Sequence, residues 1–371
     1  IINKENSHAY VGELKISQEF DNNSHIKGYA GKLAVGKISG NYQYDLYSII
    51  EDDKYNSNDV GFLYSNNEIT NGLVVRYQQF NENKRFINFS SSVEVVHQSL
   101  FTEQKFVDFE IEFENRATLK NYTTISLRAD FNPYEKYDYY EARSNNLLHP
   151  VKRSKSINGG GWISTDYRKK IAIDLSAGYN IKPLYKGYGY RWRLSPRYRI
   201  NDKISLRYVL SIRNQYNDIG FVRNDTLGFL IEPPQIDYIF AIRNTYMVTN
   251  VLSANYILNN KIDLSIKLRY HLDQVKNLEF KTLDKNGYLY ENEYFGDHDI
   301  NFTTWTSDIA LNWWFAPGSQ ISLVWKNGID NETNYLIYNW TDNVKASFDL
   351  AQENSISLKL IYYLDYLYLR K

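Results

Sequence analysis

Apolar and polar residues alternate along most of this chain. In the segment from Lys203, Ile204, Leu206, Tyr208, Leu210 and Ile212 fall on one face and Ser205, Arg207, Ser211 and Arg213 on the other, with Val209 the one apolar exception. From Lys261 the same rhythm sets Ile262, Leu264, Ile266, Leu268 and Tyr270 against Asp263, Ser265, Lys267, Arg269 and His271. A helix would scatter these residues around its surface, so period two predicts strands. Tyr190, Trp192, Leu194, Pro196 and Tyr198 interleave with Arg191, Arg193, Ser195, Arg197 and Arg199, although Pro196 removes a ladder donor. Val107, Phe109, Ile111 and Phe113 alternate with Asp108, Glu110, Glu112 and Glu114, and Ile125, Leu127, Ala129 and Phe131 with Ser126, Arg128 and Asp130. Further strands are expected near residues 8–20, 25–38, 41–50, 68–80, 85–98, 157–166, 170–180, 237–257, 300–315, 320–328 and 354–368. The pattern predicts about sixteen strands and no helix.

The connections alternate as well. Short polar turns fall at 81–84, 166–169, 201–203, 259–261 and 316–319, rich in residues that favour tight turns. Longer loops fall near 51–67, 133–156, 216–236, 273–299 and 329–353, with short members of the same set at 21–24, 99 and 183. An outer-membrane barrel has this asymmetry, with short periplasmic turns and longer outer loops. With the carboxyl terminus expected in the periplasm, an even strand count puts the start of the first strand there too and the long loops outside the cell. In the last strand, Ile356, Leu358, Leu360, Tyr362, Leu364, Tyr366 and Tyr368 share a face. Of these, Tyr362, Leu364, Tyr366 and Tyr368 resemble the aromatic-ended signal by which assembly machinery recognises such barrels. Tyr188, Trp305, Trp313, Phe315, Trp325 and Tyr368, near strand ends, are candidates for the two interfacial girdles.

Composition sharpens this expectation. The 371 residues include 34 Tyr, 18 Phe and seven Trp, or 16% aromatic, yet the mean hydropathy is −0.53. A strand with one lipid face and one wet face hides its apolar half in such an average. No stretch approaches the roughly 18–20 apolar residues of a spanning helix, so strands must do any crossing. Ile1 to Ala9 lack the basic start and apolar run of a signal peptide, and the chain reads as mature or truncated. With 43 Lys plus Arg against 43 Asp plus Glu, no basic surplus exists to hold a nucleic-acid backbone. The absence of cysteine excludes disulfides and thiolate sites. The fold class expected is all-β: a transmembrane, antiparallel, up-and-down barrel forming one domain over residues 1–371. A water-soluble β-sandwich or propeller with aromatic inner faces is the competing architecture.

Several segments resemble a family of Bacteroidota outer-membrane proteins that join an amino-terminal carbohydrate-binding family-9-like module to a carboxy-terminal barrel domain of unknown function. They are Asp53–Leu63, Trp162–Lys170, Leu194–Arg199, Phe315–Ser319 with Leu323–Lys326, and Ser355–Tyr366. The Phe315-Ala-Pro-Gly-Ser319 stretch and the terminal Leu360-Ile-Tyr-Tyr-Leu-Asp-Tyr366 are the most specific parts. The resemblance implies an outer-membrane barrel and no particular activity. Family members are usually longer, so it also implies that this chain is a carboxy-terminal part and that the full barrel has further strands. The module that would hold sugar-binding residues lies outside it.

If the apolar faces meet lipid, the polar ones line the lumen. Asp108, Glu110, Glu112 and Glu114 then form one acidic wall patch, and Arg191, Arg193, Arg197, Arg199, Arg207 and Arg213 a basic patch on two adjacent strands. Opposed charges across a pore would order water and filter dipolar solutes; the plainer reading is that they pair with neighbours or a plug. The acidic loop Glu51–Asp59 carries oxygens suited to calcium, but its spacing is wrong for an EF-hand and a solvated turn is the expected reading. Gly296-Asp-His-Asp299 would need distant ligands to hold zinc. None of His8, His25, His97, His149, His271 and His298 lies in a triad or paired-carboxylate context. Gly-x-Ser-x-Gly, phosphate loops and His-Glu-x-x-His are absent, and Gly159–Gly161 reads as a flexible approach to a strand. No catalytic, metal or cofactor residues are expected, and the chain reads as a non-enzyme.

Tyr134, Tyr137, Tyr139 and Tyr140 in one loop, and Tyr288, Tyr290 and Tyr294 in another, could stack on sugar rings; loop packing or an interface belt is the plainer reading. Asp225-Thr-Leu227 resembles the short O-glycosylation acceptor motif of Bacteroidota. The functions expected are passage of small solutes, including glycans, through a charged lumen, or a plugged structural subunit of an envelope complex. A soluble carbohydrate-binding β-module is the third. The expected partners are outer-membrane lipid and lipopolysaccharide, the barrel-assembly machinery, and other envelope proteins or glycans, without nucleic acid. Neither a TonB box nor a plug domain is visible.

Overall fold

The computed structural model describes residues 7–21, 24–58, 65–144, 149–227 and 235–364. Its strands run in chain order as β1 (His8–Asp21), β2 (Ser24–Lys37), β3 (Tyr42–Glu51), β4 (Glu68–Gln79), β5 (Phe86–Leu100), β6 (Phe106–Leu119) and β7 (Thr124–Asn132). A small antiparallel pair follows, β8 (Lys136–Asp138) with β9 (Val151–Arg153). The main sheet resumes with β10 (Ser156–Ser164), β11 (Ile171–Lys182), β12 (Gly187–Arg199), β13 (Ile204–Leu227), β14 (Gln235–Asn259) and β15 (Ile262–Leu283). The short β16 (Leu289–Glu291) folds back on β15. Then come β17 (Ile300–Ala316), β18 (Ser319–Thr333), a helix α1 (Trp340–Phe348) and β19 (Glu353–Ile361).

Together they form a 17-stranded sheet. It is an antiparallel meander in which each long strand pairs with the next, β7 passing directly to β10 and β15 to β17. Among the described residues β1 pairs with β2 alone and β19 with β18 alone. The alternation survives registration across the sheet. Leu206 faces Ala254, Ala254 faces Ile266, Ile266 faces Ile309, Ile309 faces Trp325 and Trp325 faces Ile356. One apolar lane therefore crosses six strands on one face. No second sheet lies over it: Ile356 and Trp325 are 74% and 36% exposed, and Leu206, Ala254, Ile266 and Ile309 are half-buried among their strand neighbours; on other strands Leu14, Leu33 and Leu127 are 73%, 68% and 61% exposed. A sandwich would bury such a lane against a second sheet, and none covers it here.

The turns follow local chemistry. Between β17 and β18, Pro317 and Gly318 carry the chain round, and Gly318 has φ of 71°, open to glycine without strain. Ser319, 1% exposed, accepts its place beneath Tyr363 and receives that residue's backbone N–H at 3.0 Å. Pro196 remains inside β12, paired with Ile173 on β11. On the β13 side, pairing skips Ser195 and Pro196, and Arg207 Nε donates to Ser195 Oγ at 3.0 Å instead.

The buried apolar cluster lies at the loop end. Ile219, Tyr238, Phe240, Ile242 and Leu283 from the tops of β13, β14 and β15 pack with Ala142 and Val151 of the 133–156 segment and Leu289 of β16. These tall strands shorten two connections expected as long loops, at 216–236 and 273–299. Three further expectations are corrected. The 329–353 connection contains a helix where none was foreseen: Asn339 caps it by accepting Thr341 N–H at 2.9 Å. The 133–156 and 273–299 connections carry short strands of their own. The last strand ends at Ile361, and Tyr362 to Leu364 lie beyond it. No helix of the described residues is long and apolar enough to cross a membrane.

Candidate functional site

Alternation along β6 points Asp108, Glu110, Glu112 and Glu114 to the polar face of the sheet. Registration places Gln98, Val96, Glu94 and Ser92 of β5 opposite them, and Asp130 and Arg128 of β7 opposite Glu112 and Glu114. Six carboxylates thus crowd the same few strands. Arg128 relieves part of the repulsion, with Nη2 at 2.8 Å from Glu112 and Nε at 2.8 Å from Asp130. Asn132 donates to Asp108 at 3.0 Å and to Glu110 at 3.4 Å, and Lys136 Nζ stands 3.1 Å from Asp108. Carboxylate oxygens of Glu110, Glu112 and Asp130 lie within 4.8 Å of one another, the spacing of a cation site. The Arg128 guanidinium already supplies positive charge to two of the three. Further along the same face, Tyr47 donates its hydroxyl to Glu94 at 2.7 Å.

These strands wall a cavity of about 1270 Å³ whose lining includes Asp108, Glu110, Asp130, Asn132, Lys182 and Asp218. Two connections close over it. The 52–58 segment turns inward across β2, so near that a Cβ on Gly28 would lie 2.2 Å from Tyr55 Cα. It is tied there by Asn56 N–H donating to Ser17 Oγ at 3.0 Å, and Tyr55 is buried at 7% exposure. The 133–156 segment meets it from the other side: Tyr140 OH donates to the Asn66 carbonyl at 2.8 Å, while Asn66 Nδ2 donates to the Asp53 and Tyr55 carbonyls at 3.0 Å each. Burial raises the phenol pKa of both Tyr139 and Tyr140. Arg153 holds the same segment down, reaching Asp138 at 3.4 Å and Glu141 at 3.5 Å. Lys152 sits 3.9 Å over the Tyr288 ring and donates to its hydroxyl at 2.6 Å, a bond that raises its ammonium pKa.

The sequence candidates divide. Asp108 and Glu110 line the cavity; Glu112 and Glu114 continue the same face. Arg191, Arg193, Arg197, Arg199, Arg207 and Arg213 stand on β12 and β13, away from that lining, with Arg191 directly opposite Arg213 and Arg197 opposite Arg207. Like charges facing across a ladder repel unless solvated or paired. Arg207 approaches Asp174 at 3.8 Å and Arg197 lies 5.4 Å over the Tyr167 ring; among the described residues the other four make no ion pair. The acidic and basic patches are therefore separate walls. Of the assembly-signal candidates, Tyr362 stacks on Phe315 at 6.3 Å and Leu364 is exposed; Tyr366 and Tyr368 lie outside the described residues.

Tyr137, Tyr139 and Tyr140 line the cavity, whereas Tyr134 packs on Phe109 and Tyr294 stacks on His298. Tyr290 is half exposed. In the Gly296–Asp299 segment the candidate ligands are bonded within the protein: Tyr294 OH bonds His298 Nε2 at 2.6 Å, Asp299 accepts from Asn277 N at 2.7 Å and Asp297 from Asn334 at 3.3 Å. In the acidic loop, Asp52 accepts Tyr29 N–H at 2.9 Å and Lys54 N–H at 3.0 Å, the bonding of a turn; Asp59 lies outside the described residues. So does the side chain of Thr226 in the glycosylation-like motif, while its neighbour Asp225 is 3.6 Å from Arg223. Sequence reading did not single out Glu94, Lys136, Tyr55 or Asn66 as members of the site. They come from three separate segments, β5, β8 and the connection between β3 and β4, and only strand registration and loop folding bring them together.

The family described as "Domain of unknown function (DUF5916)" matches residues 1–371. No curated protein matches the chain. Among solved structures, the chain is similar to in-vitro folded OmpT in its trimer form, an outer membrane protein of Vibrio cholerae. The identity is 9%, with 87% of each chain covered and a TM-score of 0.33. It is also similar to a loop L8 deletion mutant of OmpT, with 8% identity, 88% and 93% coverage and a TM-score of 0.33.

Proposed function

Because the chain belongs over its whole length to the DUF5916 family of domains of unknown function, its activity has to be read from its geometry, and we propose that it forms the wall of an outer-membrane barrel passing small solutes through a charged lumen. The observation that carries this reading is the two-sidedness of the sheet. Its uncovered apolar lane has the character of a lipid-facing surface, and its opposite face carries separate acidic and basic walls beside a large cavity. Lipid takes the place that a second sheet would occupy in a sandwich. Closure of β1 to β19, directly or through further strands, belongs to the proposal, as do the Bacteroidota origin, the extracellular position of the long loops and the absence of catalysis.

Charge on the walls would sort solutes. Five of the six arginines, all but Arg207, make no ion pair among the described residues and attract anions to one side, while Arg128 and Lys136 leave the acidic side only partly neutralised. The test is single-channel conductance of the detergent-purified protein in a planar bilayer. Discrete current steps are expected, and replacing Arg191, Arg193, Arg197 and Arg199 by Gln shifts the reversal potential towards cation selectivity. Membrane-inserted protein without current would overturn solute passage.

One observation favours a second reading, a capped structural barrel serving an envelope complex. The 52–58 and 133–156 segments are joined over the cavity by Asn66, whose carbonyl accepts from Tyr140 and whose side chain donates to the Asp53 and Tyr55 carbonyls. Silent insertion of the unmodified protein would support it.

A further inference from the structure

Helix α1 packs the opposite way to an ordinary surface helix. Its buried residues are polar: Asn343 and Ser347, each 1% exposed. They sit on the sheet's apolar face, above the apolar lane. Asn301 Nδ2 donates to Asn343 Oδ1 at 2.9 Å, Thr303 and Ser347 hydroxyls bond at 2.7 Å, and Gln274 Nε2 donates to Asn301 at 2.7 Å and to the Ile337 carbonyl at 2.9 Å. Meanwhile Trp340, Val344 and Phe348, spaced by four, make an apolar stripe along one flank. Trp340 is 51% exposed and Phe348 43%. That flank faces down the wall: Trp340 contacts Tyr270 edge-on at 5.8 Å and Phe348 meets Trp305 at 5.2 Å, both wall residues lying nearer the apolar lane than Gln274 and Asn301.

We propose that α1 lies in the lipid headgroup region as a membrane-surface helix bonded to the barrel wall, its Trp340–Val344–Phe348 flank resting on the acyl boundary. This deepens the outer-membrane reading and rests on it. Two observations name lipid as the occupant. First, the stripe is continuous with the apolar lane through Tyr270 and Trp305, so one surface runs from the helix to Leu311 and Trp313. Second, the wall alone is short. From Trp305 to Trp313, β17 rises about 26 Å along its own direction. Tilted as barrel strands are, that is about 20 Å of height against an apolar band of about 25 Å. Above Trp305 the face turns to Thr303 and Asn301, which α1 covers; its flank supplies apolar surface at the height where the wall stops. An aromatic pair at that level fits the interfacial belt.

The chain contains no cysteine, so single labelling sites are clean. Nitroxide-labelled Phe348→Cys, Thr341→Cys and Leu311→Cys variants of the full chain, refolded into phosphatidylcholine vesicles, would be compared by collision with oxygen and with a water-soluble nickel chelate. We expect Phe348→Cys and Leu311→Cys to favour oxygen and Thr341→Cys to favour the chelate. Chelate access at Phe348→Cys with a lipid signal at Leu311→Cys would overturn the helix proposal and leave the barrel standing. Chelate access at Leu311→Cys would instead defeat the barrel reading itself. A Phe348→Cys label shielded from both reagents would mean that protein covers the flank, which also overturns the proposal.

Discussion

Single side chains on the two faces of one strand make opposite predictions. Leu206 and Ile266 belong to the apolar lane, Ser205 to the polar face. Replacing Leu206 or Ile266 by Arg near the bilayer midplane should weaken insertion by about 2–4 kcal/mol, whereas Ser205→Arg should be tolerated. Urea-dependent folding into vesicles measures both, and equal tolerance would reverse the assigned orientation. Asp166, in the turn between β10 and β11, tests charge outside the sheet. It accepts three bonds from Arg168, from N at 3.0 Å, Nε at 2.9 Å and Nη2 at 2.8 Å, and the Arg168 side chain holds its pKa at about 2, below the ordinary 3.8. A lowered pKa means the stabilisation is complete above about 3.8 and is lost as pH falls through about 2. Carboxyl chemical shifts of Asp166 should therefore stay those of the anion down to pH 3, and a midpoint near 4 would show that the Arg168 bonds do not persist in solution.

At the scale of elements, what could be read from the sequence was set by periodicity. Strands such as β6 and β13 announce themselves because each residue's face is fixed by its parity, with no knowledge of neighbours. Helix α1 does not, because its buried positions are Asn343 and Ser347 and its half-exposed apolar flank lies along the outside of the wall. Nine residues with polar groups inward look like a loop. The cavity was half legible: Asp108 and Glu110 follow from alternation, but Tyr55 and Asn66 enter only through a loop whose path the sequence does not state. The tops of β13, β14 and β15 were missed for a related reason, since there both faces are covered and alternation fades. Phe240, 0% exposed at their centre, should anchor the 133–156 segment. Phe240→Ala should cost about 3–5 kcal/mol, and amide exchange at Ala142 and Val151 should rise before that of β6 does.

The molecule as a whole is organised by what its surfaces exclude. Apart from the strip under α1, one side of the sheet has no second layer over it among the described residues, the other is wet and charged, and the polar side is closed at the loop end by chain rather than by apolar packing alone. At Gly28 that closure has no clearance: a single methyl group would collide with the Tyr55 backbone. The segment over the cavity is thus seated by the absence of one carbon, and the smallest chiral residue acts there as a wedge. Gly28→Ala should unseat it without altering any charge on either wall, so that in the proposed channel permeability would change while selectivity stayed fixed. On that proposal obstruction and sorting are separate, written in different residues and open to independent change.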